Sequence, residues 1–115
     1  MPLSLFAGLP VTDFQRSLAW YERFLGCPPS FLPHETEAVW QLAEHRFLYV
    51  VERPQEAGHA VHTLFVDNLD AVAAEIAGRG VEPAEGEAYA NRVRKLTYRD
   101  PDGNEIGYGG SSPRP

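Results

Sequence analysis

His59 and His62, in "GHAVHTLF", stand three residues apart, the spacing at which two imidazoles on one helix face can share a metal ion. The segment alternates like a strand, however, so residues i and i+3 point to opposite faces and cannot hold one ion together. His62 shares a face with Leu64 and Val66 and is expected to sit beneath a helix. His59 shares a face with Val61, Thr63 and Phe65, which makes it a candidate for ligand contact and acid–base work. Glu105, in "RDPDGNEIGYGG", is the other catalytic candidate. Burial would raise its pKa and suit it to be a general base, or it would pair with a cationic ligand. Just after a turn, the same residue also reads as a solvated carboxylate. Arg92, Arg94, Lys95 and Arg99 form a basic stretch that an alternating strand divides between two faces, as solvated strand charges do. Arg92 and Arg94 share a face, which leaves phosphate or carboxylate binding open for that pair. Cys27 is the only cysteine, so no intrachain disulfide forms, and nothing near it in sequence activates the thiol.

The elements that must position these residues follow from patterning. "LSLFAGLPV" reads as a strand over about 3–11, and Thr12 or Asp13 caps a helix with Phe14, Leu18, Tyr21 and Leu25 at helical spacing. Trp20 lies off the centre of that stripe, where it covers a neighbouring strand or joins a dimer surface. Gly26 ends the helix, and Pro28 and Pro29 prevent its resumption. Strands are expected at about 30–33, 37–43 and 46–52, the last two joined by a short connection at Glu44-His45. His34 and His45 fall in loop or turn positions. "HAVHTLFV" is a further strand, and Asn68 or Asp67 caps a second helix with Leu69, Val72 or Ala73, and Ile76 as its apolar stripe. Gly80 ends this helix. Strands at about 81–87, 92–99 and 104–109 follow, and Pro101-Asp102-Gly103 supplies the turn between the last two.

The two halves thus share one grammar, βαβββ written twice. "LPVTDF" at 9–14 matches "LFVDNL" at 64–69, an offset of 55 residues. An internal duplication of this length suggests two similar sheets that meet to enclose something. The chain of 115 residues, 43% apolar and 23% charged, is expected to be a single α+β domain over 1–115. Module one covers about 1–53 and module two about 59–110. A net charge of −6 argues against a nucleic-acid partner. No run reaches the roughly 18 apolar residues that span a bilayer, so no membrane partner is expected. "MPLSLFAGLP" lacks the basic start of a signal peptide, and with the lone cysteine this points to the cytoplasm.

With "LPVTDFQRSLAWYERFLG", "FVDNLDAVAAEIAGRG" and "DPDGNEIGYG" in this order, the chain resembles the vicinal-oxygen-chelate superfamily: glyoxalase I, bleomycin-resistance proteins and extradiol dioxygenases. The resemblance implies two βαβββ modules whose sheets curve round a shared cavity, often completed across a homodimer. In metal-using members it implies four side-chain ligands from the first and last strand of each module, usually histidine, glutamate or glutamine. Carried onto this chain, the first ligand position is Phe6 and its repeat mate is Val61. The final position is Gly107, and the fourth falls within 46–51 at a register the sequence leaves open. None of these residues is a normal ligand for a divalent ion, so no metal and no other cofactor is expected.

Alternation then assigns the cavity wall. Leu3, Leu5, Ala7, Leu9 and Val11 should pack under the helices, leaving Phe6 and Gly8 to face the cavity with Val61, Thr63, Phe65 and Gly107. Trp40, Tyr49 and Tyr98 are candidates for further aromatic surface, and Thr63, Arg94, Tyr98 and Glu105 for polar anchors. Such a wall suits a small organic ligand held by burial and stacking in a homodimer, without a metal. Two other readings stand beside it: a metal-dependent glyoxalase-like lyase, isomerase or dioxygenase, and a non-catalytic protein-interaction module.

Overall fold

β1 (Leu5–Val11) opens the chain and pairs in parallel with β4 (Arg46–Glu52), which places the helix between them on one side of a sheet. A computed structural model of the chain describes residues 3–111. The expected domain also includes residues 1, 2 and 112–115, which lie outside the described residues. α1 (Phe14–Leu25), β2 (Phe31–His34) and β3 (Glu37–Ala43) complete module one, with strand order β1-β4-β3-β2. Module two repeats the plan with β5 (Val61–Phe65), α2 (Leu69–Gly78), β6 (Glu85–Ala88), β7 (Val93–Arg99) and β8 (Glu105–Ser111). Its order is β5-β8-β7-β6. The architecture is α+β, two four-stranded sheets and two helices from two βαβββ modules, as the sequence predicts.

Local chemistry explains the boundaries. Asp13 is the cap of α1, its carboxylate accepting from the Arg16 N–H at 3.1 Å, and Asn68 does the same for Ala71 at the start of α2. Gly26 closes α1 with φ of 82°, a left-handed conformation that glycine adopts without Cβ strain. α2 ends at Gly78, two residues before Gly80. The strand expected over 81–87 is shorter, Glu85–Ala88. Val81 instead turns into the core, its N–H bonded to the Ile76 carbonyl, and Pro83 has no N–H to offer a ladder.

The buried stripe of α1 also differs from the expected one. Phe14, Ser17, Tyr21 and Phe24 are buried, while Leu18 and Leu25 lie at its margins. The reason is that α1 serves both modules. Phe24 packs on Tyr98 and Tyr108 of module two at ring separations of 5.1 and 5.8 Å, and Trp20 stacks on Phe24 from the outside at 4.9 Å. One continuous core therefore joins Leu9, Val11, Trp40, Leu48 and Val50 to Ile76, Tyr98 and Ile106. Leu3 and Leu5, expected under the helices, are 81% and 64% exposed, because cover on that face of β1 becomes complete only at Leu9 and Val11.

Polar contacts fasten the same joint. Asp100 and Asn104, at the ends of the turn "DPDGN", are both buried. The Tyr21 hydroxyl donates to Asp100 Oδ2 at 2.8 Å, and Asn104 Nδ2 donates to the same oxygen and to the Pro10 carbonyl. Asp102 accepts from the Thr12 hydroxyl at 2.6 Å. Arg79, just past α2, donates to the Phe24 carbonyl at 2.8 Å and to that of Arg23, satisfying carbonyls that the end of α1 leaves open. What reads in sequence as turn chemistry is in the fold also the clasp between the halves.

Candidate functional site

Each sheet has one face against the helices and one face turned away from them. Strand register assigns the second, open face. In module one it carries Phe6 beside Phe47, Gly8 beside Tyr49, and Pro10 beside Val51. In module two it carries Val61 beside Glu105, Thr63 beside Gly107, and Phe65 beside Gly109. β7 continues that face with Arg99, Thr97 and Lys95 opposite Glu105, Gly107 and Gly109.

This correspondence fixes the position the sequence leaves open. Gly8 and Tyr49 occupy the places of Thr63 and Gly107, so the four ligand positions implied by the resemblance are Phe6, Tyr49, Val61 and Gly107. The shift between the modules grows from 55 residues at Phe6/Val61 to 58 at Tyr49/Gly107. The longer β6–β7 connection, residues 89–92 against 35–36, contributes to this growth. Of the four side chains only the Tyr49 phenol carries an oxygen, and a divalent site needs several convergent donors. Among the described residues no three His, Cys, Asp or Glu side chains group closely enough to hold an ion. The space at Gly107 is taken as well: a Cβ there would lie 2.6 Å from Lys95 Cε. The residues present do not fit the metal of the metal-using members.

The open face of module one is largely apolar, whereas that of module two mixes exposed apolar side chains with Thr63, Lys95, Thr97, Arg99 and Glu105. Phe6 and Phe47 stack with centroids 4.3 Å apart and planes 5° apart, yet Phe6 remains 48% exposed, Val61 61% and Phe65 68%. The Tyr49 ring lies over Gly8, where a Cβ would stand 2.6 Å from Cζ. A separate cleft of about 830 Å³ runs between the modules on the helix side of the sheets, walled by Phe24, Leu64, Val72, Ile76 and Tyr108, with Phe47, Thr63 and Phe65 at its margin. Arg46, Glu75 and Arg79 also line it. Within it, His62 Nε2 lies 2.8 Å from the Gly8 carbonyl, so this histidine bridges β5 to β1. Burial holds the Tyr108 and Tyr98 hydroxyls above their ordinary pKa, which keeps both as neutral phenols.

Not every expected site residue comes to the open face. Trp40 is buried on the helix side, its indole N–H donating to the Cys27 carbonyl at 3.0 Å. Tyr98 is likewise in the core, against Phe24 and Tyr108. Arg94 is paired with Asp70 in the first turn of α2. Sequence alternation offers all three to the cavity wall, but the register places them on the opposite face. Arg92 ends a 3-10 turn before β7 and so does not share a strand face with Arg94. His59 is exposed in the segment before β5, where no strand directs it. Glu105 faces as expected but forms an ion pair with Arg99 at 3.5 Å. Arg99 also bonds Glu85 at 2.9 Å, the main cause of its raised pKa.

Phe47 and Lys95 are open-face residues that sequence reasoning missed. "RFLYVV" is apolar on both parities, so only pairing with β1 reveals which half is open. Lys95 was set aside as a strand charge.

Comparison with known proteins agrees with this architecture. The model of the Glyoxalase/Bleomycin resistance protein/Dioxygenase superfamily matches residues 4–108. Among solved structures, a glyoxalase / bleomycin resistance protein from Catenulispora acidiphila is 59% identical, with a TM-score of 0.93, covering 96% of this chain and 100% of that one. A bleomycin resistance determinant encoded on the transposon Tn5 gives 19% identity and a TM-score of 0.77, covering 96% and 99% of the two chains. A lactoylglutathione lyase from Agrobacterium tumefaciens gives 16% and 0.75, covering 96% and 95%. These last two share the fold alone. Among curated proteins no relative matches. The chain belongs to the glyoxalase/bleomycin resistance protein/dioxygenase superfamily.

Proposed function

We propose that the protein binds a small organic molecule without a metal ion, between the open sheet faces of a homodimer. One observation carries the reading: the ligand positions of the metal-using pattern hold Phe6, Tyr49, Val61 and Gly107, and Phe6, Val61 and the nearby Phe65 are large apolar side chains left exposed. Apolar walls with a few polar groups favour binding by burial. A second copy would cover Phe6, Val61 and Phe65, exposed aromatic and branched side chains of the kind that interface cores bury. Among the described residues no helix is long and apolar enough to cross a membrane. The exposed, unpaired Cys27 suits the reducing cytoplasm.

Native mass spectrometry of protein purified without chelator tests the reading, alongside metal analysis and light scattering. The expected result is a dimer with substoichiometric metal that takes up small aromatic compounds saturably. Stoichiometric zinc, nickel, manganese or iron bound within the cavity would overturn it in favour of a metal-dependent lyase, isomerase or dioxygenase. A monomer that takes up no such compound would overturn it in favour of a protein-interaction module.

A further inference from the structure

Lys95 lies where the resemblance puts the last metal ligand. Its Cε is 2.6 Å from the point a Cβ on Gly107 would occupy, and Thr63 Oγ1 is 3.5 Å from that same point. The side chain starts on β7 and its end lies over Gly107 of β8, whereas Glu87 is its neighbour across on β6. Glu87 accepts from the Tyr89 hydroxyl at 2.7 Å instead. Glu85 and Glu105, the other carboxylates of this face, are both held by Arg99. Among the described residues Lys95 forms no ion pair, whereas Arg94 and Arg99 on the same strand both do. Beside it the Phe65 ring lies flat over the sheet, with Cδ1 3.2 Å from the Cβ position of Gly109.

Two glycines in alternate positions of β8 thus clear room for a cation and an aromatic ring side by side. Thr63 and Phe65 share this open face with Lys95, on the strand beyond β8. Of the ionisable groups along the cleft, Arg46 and Arg79 are positive and Glu75 is negative, His62 being bonded to a carbonyl. On the face of Lys95 itself, Glu85 and Glu105 are held by Arg99 and Glu87 by the Tyr89 hydroxyl, which leaves the ammonium as the cation without a partner among the described residues. An unpaired ammonium next to a hydroxyl and an apolar wall is complementary to a carboxylate on an apolar body.

We propose that Lys95 and Thr63 anchor the carboxylate of a small aromatic acid whose ring system lies against Phe65 on the open face. The proposal rests on the binding role above and names the ligand class of that site. On this face a fixed lysine charge stands where the metal-using relatives keep a cation, and it needs no metal.

The test uses the full chain and three probes of one shape: 1-naphthoate, 1-naphthalenemethanol and 1-naphthylmethylammonium. Calorimetry gives their affinities, and amide shifts of Gly107 and Gly109 in 1H–15N NMR spectra report where they bind. Naphthoate should bind about tenfold or more tighter than the alcohol, moving both glycine signals. Lys95→Met should abolish that preference and leave the alcohol's affinity within about twofold, while Lys95→Arg should keep it. Equal or tighter binding of the alcohol or ammonium probe would overturn the proposal and leave the binding role standing. So would a naphthoate affinity unchanged in Lys95→Met, or shifts confined to other amides. Failure of all three probes to bind would overturn both.

Discussion

The Tyr21 hydroxyl of module one donates a 2.8 Å hydrogen bond to Oδ2 of Asp100 in module two, and both residues are buried. Asp100 Oδ1 meanwhile accepts the backbone N–H groups of Asp102 and Asn104 at 2.9 Å each. The carboxylate therefore organises its own turn and receives the other module at once. Tyr21→Phe removes one donor to a charged acceptor and leaves the ring packing intact. Hydrogen bonds of that kind contribute about 1.5–3 kcal/mol. The variant should lose about that much stability in urea unfolding, with an unchanged m-value. A loss below about 0.5 kcal/mol would show that Asp100 is satisfied without Tyr21.

The same pair sets an alkaline limit. Burial, followed by the nearby Asp100 charge and the hydrogen bond to it, raises the Tyr21 pKa well above its ordinary value of 10.0. Burial raises Tyr98 and Tyr108 as well. Above the unfolded pKa the unfolded chain loses these protons while the folded chain keeps them, so the folded state binds more protons and stability falls as pH rises. Stability from these groups is complete below about pH 10 and declines as pH climbs through and beyond that value. Melting temperatures measured from pH 8 to 11 should fall at the upper end. The decline should be shallower in Tyr21→Phe, and an equal slope in both proteins would remove Tyr21 as a cause.

Much of this fold can be read from the chain because its signals are local. The strands at 37–43 and 46–52 are short apolar runs joined by a two-residue connection, and Asp13, Asn68 and Gly26 cap helices within one turn of themselves. The site is less readable because facing depends on long-range pairing. In "EAVWQLA" Ala38, Val39 and Trp40 are all apolar, and only the pairing of Trp40 with Leu48 sends the indole to the helix side. Arg94 looks free until α2 brings Asp70 to it. Tyr49 acquires its place from the parallel register with Gly8.

Phe24 is the aromatic hinge of the core, touching Trp20, Tyr21, Tyr98 and Tyr108. Truncation of a buried phenylalanine costs about 3–5 kcal/mol. Phe24→Ala should cost about that much, and both modules should unfold together because they share this core. Two separate transitions by circular dichroism and tyrosine fluorescence would show that the modules are energetically independent.

At Gly8 the close approach of Tyr49 makes a directional prediction. A methyl group would stand 2.6 Å from the ring, so Gly8→Ala must push the phenol out of its place. Such overpacking costs about 1–3 kcal/mol. The double variant Gly8→Ala/Tyr49→Ala should regain part of that loss relative to the sum of the single changes. Strict additivity in urea unfolding would mean that ring and glycine do not meet.

Phe65 tests the assembly most directly. It is 68% exposed on the open face, so a charge there disturbs little inside one chain. In a dimer that buries this face, Phe65→Asp would put an unpaired carboxylate into an apolar interface, at a cost of several kcal/mol. Light scattering at micromolar concentration should then show a monomer with near-native circular dichroism, and the wild-type chain a dimer. Retention of the dimer by Phe65→Asp would place the interface on another surface, and with it the enclosure of any ligand.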